Sequence, residues 1–193
     1  MNQEIKTRES KGWASGGAAS LYLIGALHLG LFAFATKQVG PESAPLLGVW
    51  ILGVSIALLM LGMVELRRGD ILFGTLGMVF GGLLGLGGGL SFLRSIWIPG
   101  TFAIDGWWFL SGGIILFLLL PAIYKVSKIM IFGTSVIGTA LIILGLGMIG
   151  IFGQTDTPMV LAGWLALFFG IFSWYGATAL IVNSVYKKSI LPF

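Results

Sequence analysis

The feature that most constrains this chain is a series of six apolar runs, each about as long as the roughly 20 residues a helix needs to cross the hydrocarbon of a bilayer. They cover residues 17–36, 45–65, 71–93, 106–124, 129–152 and 158–183. The runs are continuously apolar and do not alternate with a period of two, which excludes the strands of a membrane barrel. The expected fold is therefore an all-α integral membrane bundle of six spans. Only 9% of the residues are charged, against about 25% in a soluble domain, so a water-soluble fold is excluded. No stretch reads as a linker, and residues 1–193 form one domain: a polar segment over 1–16, the spans over 17–183 and a tail over 184–193. That first segment is polar and mixed in charge, unlike a signal peptide, so the first run is a retained helix.

Orientation follows from Lys and Arg, which accumulate on the cytoplasmic side of membrane proteins. With the N-terminus inside, Lys6, Arg8, Lys11, Arg67, Arg68, Lys125, Lys128, Lys187 and Lys188 are cytoplasmic, and only Lys37 and Arg94 lie outside. Both termini are then cytoplasmic, and the expected location is the plasma membrane. The outer loops hold Glu42, Asp105 and Asp156, with Pro41, Pro99 and the Trp107-Trp108 pair at headgroup level. Because the basic residues lie between apolar runs and not in one stripe, they indicate topology; nucleic acid is not an expected partner.

The chain has 31 glycines, and their spacing carries the information. Gly77, Gly81, Gly85 and Gly89 recur every fourth residue of the third run. Lipid tails are as apolar as Leu, so membrane helices associate by close contact, and such a stripe lets two backbones approach. The third helix is expected to be central, with some of these glycines serving packing and some able to line a narrow pore. Gly133, Gly138, Gly145, Gly147 and Gly150, with Gly153 just past its end, make the fifth run a second close-packing helix.

Residues suited to catalysis are scarce. There is one histidine and no cysteine, which leaves no metal cluster, no triad, no thiolate and no acid/base dyad, and the glycines are not followed by the Lys-Ser/Thr of a phosphate loop. The expectation is a protein that is not an enzyme and needs no cofactor or metal. His28 lies near the middle of the first run, where an ionisable residue faces protein or water more often than lipid; it can be a pH-responsive pore residue or a neutral ring bonded to a neighbouring helix. Glu65 can pair with an adjacent Arg in the inner turn or influence the cytoplasmic mouth of a pore. Tyr22, Phe80, Thr134, Ser173 and Tyr175 lie within runs, where rings narrow a conduit and hydroxyls replace lost water. No Lys or Arg falls inside a run, so a carboxylate crossing the bundle would have to rely on hydroxyl and amide dipoles.

Three stretches resemble the acetate uptake transporter family. Gly62-Met63-Val64-Glu65-Leu66-Arg67-Arg68-Gly69-Asp70 is similar to its inner turn after the second helix. Ala162-Gly163-Trp164, continuing through Gly170 to Tyr175, resembles its sixth helix, and Ile190-Leu191-Pro192 its tail. The chain departs from the family at the front, where Gly12 to Leu21 replaces an Asn-Pro-Ala-Pro-Leu-Gly-Leu signature. The resemblance implies a homohexamer with one pore per protomer, passing acetate and related monocarboxylates, with succinate a further candidate, by a channel-like, proton-coupled or pH-gated route. It places Phe80, followed by Gly81, at a hydrophobic constriction, matches Tyr22 and Thr134 to the other constriction positions, and puts Ser173 and Tyr175 beside the conduit. A channel for urea or ammonia, and a membrane interaction protein without transport, are the alternative functions.

Overall fold

The computed structural model describes residues 13–98, 100, 102–153 and 155–193; the expectations for Lys6, Arg8, Lys11 and Pro99 lie outside them. The helices are α1 (Gly17–Ala35), α2 (Ala44–Arg68), α3 (Ile71–Arg94), α4 (Ala103–Val126), α5 (Lys128–Ile149) and α6 (Thr157–Tyr186). All six are long and apolar enough to cross a membrane, and the chain is a multi-pass membrane protein. An even number of spans leaves residue 13 and residue 193 on one side, the inner side by the distribution of basic residues. Most helices overrun their apolar runs by a turn or less, because a helix continues into the headgroup region until a cap or a special backbone angle stops it.

The turns have local causes. Gly69 adopts a left-handed φ of 87° just past α2, a conformation open to glycine, and the Asp70 carboxylate then accepts the backbone N–H of Phe73 at the start of α3. Ser127 does the same for α5, accepting from Ile129 and Met130. Pro45 and Pro158 sit in the first turns of α2 and α6, where a missing N–H costs nothing.

The helices close into a ring in chain order, α6 packing back on α1. Three pairs, α1 with α6, α2 with α3 and α4 with α5, are the tightest, and each is seamed by facing glycines. A Cβ on Gly25 would stand 2.8 Å from the Gly170 carbonyl oxygen, one on Gly77 2.7 Å from Gly62 Cα, and one on Gly145 2.7 Å from the Gly106 oxygen. Small residues at these crossings bring backbones to distances no side chain would permit. Gly77, Gly81, Gly85 and Gly89 all face α2, meeting Gly62, Leu59, Ser55 and Leu52 in turn.

Between Val79 and Leu86, α3 is a π-helix. A four-residue repeat on an α-helix drifts about 40° per step. Pairing i to i+5 widens the turn and reverses that drift, which keeps all four glycines on α2. Within this segment the Leu83 carbonyl accepts the Trp108 indole N–H of α4 at 2.7 Å, a bond across the α3–α4 seam, where the ring is thinnest.

Candidate functional site

The ring encloses a cavity of about 730 Å³ to which every helix contributes wall. Its outer end is bordered by Arg94, Asp105, Gly153, Thr155 and Asp156, and its wall continues inward past Ser91, Ala162 and His28 to Ile24, Leu58, Phe80 and Ile137. Nothing from the inner turns lines it among the described residues. A smaller cleft of about 220 Å³ adjoins it at the α3–α4 seam and shares Gly88, Ser91, Asp105 and Phe109 with it.

The inner end is closed by packing. Ile24, Leu58, Ile137 and Phe169 are all less than 7% exposed and form one cluster, with Phe80 packed against it. The Phe80 and Phe169 rings lie nearly parallel, 13° between planes and 6.0 Å between centroids. A constriction of this kind excludes ions because nothing on its wall replaces their water.

Among the described residues, His28 is the only titratable side chain on the deep wall. Its Nδ1 donates to the Ile24 carbonyl one turn back at 2.7 Å, and the ring stands edge-on to Phe169 at 4.9 Å. The hydrogen bond goes to its own helix, since α1 presents a carbonyl within reach of an i to i−4 side chain. Nε2 is left as the one polar atom His28 can offer the cavity.

The other residues singled out from sequence are not on the cavity wall. Tyr22 is 40% exposed and its hydroxyl meets Thr178 across the outside of the α1–α6 seam at 2.9 Å. Two residues further along α1, Ile24 occupies the inner face. Thr134 is buried between helices, and Ile137, almost one turn later, reaches the cavity. Ser173 is fully buried and spends its proton on the Phe169 carbonyl at 2.8 Å, the back-bond a helical serine makes when no water is near. Tyr175 donates to the Pro192 carbonyl, and Asn183 binds the backbone of Ile190 and Leu191. The Leu-Pro tail is thereby folded back on α6, with Phe193 against Phe172 and Gly176. Among the four stripe glycines, Gly85 alone contributes to the wall.

Glu65 is 3% exposed at the inner end of α2. One carboxylate oxygen accepts the Ser15 hydroxyl at 2.6 Å and the Gly16 N–H at 2.7 Å, and the other lies 3.3 Å from Arg68. Arg68 also donates to the Trp13 carbonyl. The carboxylate satisfies a free N–H at the start of α1, where the helix dipole favours a negative charge, and ties α1 to the inner turn.

Sequence reasoning passed over Phe169, Leu58 and, above all, Arg94. The count of basic residues puts it outside the membrane at the end of α3, and its guanidinium folds onto Asp105, Nη2 at 2.8 Å and Nη1 at 3.4 Å, and forms part of the cavity wall. The signal available in the sequence was the opposite charge eleven residues later in the same short outer connection.

No family model matches the sequence, and no curated protein does. Among solved structures, the bacterial acetate channel SatP superposes with a TM-score of 0.80 over 94% of this chain and 99% of that one, at 15% identity. Six helices in the same arrangement over nearly the whole of both chains give this protein the fold of that acetate channel.

Proposed function

We propose that the protein is a channel or transporter for acetate and related small monocarboxylates. The observation that carries this reading is the cavity that all six helices enclose, open toward the outer loops and ending at the aromatic and aliphatic neck around Phe80. The shared fold with an acetate channel and the resemblance in the inner turn, sixth helix and tail support the choice of solute. A solute enters from the outer end, passes His28 and sheds water at the neck. Its small size follows from the neck, where a long or doubly charged acid such as succinate has more hydration to lose. Any proton coupling or pH gating centres on His28, which lies on the cavity wall against Phe169 of the neck; Glu65 acts on the inner side through the position of α1. Assembly is as a homohexamer in the plasma membrane, each protomer with its own path.

The test is flux of labelled acetate into proteoliposomes at neutral pH, against protein-free vesicles of the same lipid, because acetic acid also crosses bare bilayer. The protein should raise uptake severalfold over that leak. Equal uptake with and without protein from pH 5 to 8 sinks the monocarboxylate reading; urea and ammonia flux then separates a neutral-solute channel from a membrane protein with no transport role.

A further inference from the structure

Resting on the function proposed above, the structure assigns Arg94 a role as an anion-receiving site at the outer rim of the cavity, one that takes the carboxylate group of a small acid before it reaches the neck. Two ion pairs stand at this rim. Lys37 pairs with Asp156, and both of those side chains are more than 60% exposed, so water screens them. Arg94 and Asp105 are 27% and 14% exposed and both form cavity wall. Among the described residues, Arg94 is the one Lys or Arg on that wall.

A guanidinium offers two edges that match a carboxylate. Asp105 takes the edge formed by Nη1 and Nη2. The other edge contains Nε, which is buried and has no hydrogen-bond acceptor among the described residues. A donor that is neither solvated nor bonded is unfavourable; a carboxylate oxygen in the cavity reaches it when the partly exposed guanidinium turns on its stem, and that contact removes the deficit. The Phe102 ring stacks 4.2 Å over the guanidinium, which fixes its plane and leaves its edges to hydrogen bonding. Asp105 both positions the cation and cancels its charge, so occupancy by the travelling anion is transient, as conduction requires.

The two partners then have opposite effects on anion uptake. Asp105→Asn uncovers a positive charge at the mouth and should raise acetate uptake in proteoliposomes. Arg94→Gln leaves a carboxylate facing the incoming anion and should lower it, each by roughly threefold or more at low ionic strength. Arg94→Lys keeps the charge without the fork and should fall between Arg94→Gln and the unmodified protein. The differences should shrink as salt rises, since the long-range pull of the mouth on an anion still in solution is screened beyond about 10 Å at 0.1 M. Elution of each variant as a single species on size exclusion shows that it is folded. A purely structural ion pair responds differently: both substitutions break the same bridge, so uptake moves in the same direction for both, or not at all, and either result overturns the proposal. Absence of acetate flux in the unmodified protein removes the proposed function itself, and this site with it.

Discussion

At the neck, Phe80 is one of two stacked rings and packs against the buried cluster that holds Ile24, Leu58 and Ile137. No hydrogen bond holds it there, so truncating it enlarges the passage without stranding a polar group. Phe80→Ala should therefore raise acetate flux in proteoliposomes, or admit a bulkier acid such as lactate. The cost in stability is about 3–5 kcal/mol for a core Phe, less here because the ring is only partly buried. If the variant stays folded and its flux and selectivity match the unmodified protein, the barrier lies elsewhere. The count from Gly69 in the inner-turn resemblance singles out Phe80, and the ring is found on the cavity wall. Tyr22 and Thr134 were not placed on the wall, because a helix apolar on every side gives no periodic sign of which face turns inward.

Among the elements, α3 shows how the glycine stripe works. Gly77 faces Gly62 of α2, backbone to backbone, and an added methyl would stand 2.7 Å from Gly62 Cα. Neither main chain can yield without parting the two helices. Gly77→Ala should lower the melting temperature in detergent, by a loss of about 1–3 kcal/mol as for other overpacked sites. Gly53 of α2 is the control: nothing lies within 4 Å of a Cβ there, so Gly53→Ala should be neutral or slightly stabilising, because alanine is the better helix former. Equal melting temperatures for the two variants would mean that α2 and α3 do not meet along these glycines. The four-residue spacing was plain in the sequence. The π segment that keeps it in register was not, since the bond shift depends on what α2 and Trp108 present to the α3 backbone.

For the whole molecule, an even number of spans and the basic inner turns fix the orientation together. Ser189→Cys, in a chain with no cysteine, should react with an impermeant thiol reagent only from the cytoplasmic side, and Gln38→Cys, in the loop between α1 and α2, only from outside. Labelling of Ser189→Cys in intact cells would invert the topology and make the Arg94 end of the cavity cytoplasmic. The inner and outer ends differ in kind. Outside, the cavity wall includes charged and hydroxyl groups; inside, the described helices close on Ile24, Leu58, Ile137 and Phe169. The cavity is thus open at the Arg94 end and closed by apolar packing at the Phe80 end.

The sequence alone determined that this chain crosses a membrane six times, where the spans fall, which helix carries the glycine stripe and which turns are inner. Those properties depend on transfer of residues into lipid and on local capping, both of which act within a single helix. Tertiary structure decided the rest: which face of each helix lines the cavity, that Ile24 and Ile137 are on its wall and Tyr22 and Thr134 are not, that Glu65 secures the start of α1, and that Arg94 belongs to the wall. In a bilayer, the lipid-facing and protein-facing sides of a helix are equally apolar, so only contact with the neighbouring helices distinguishes one face from another.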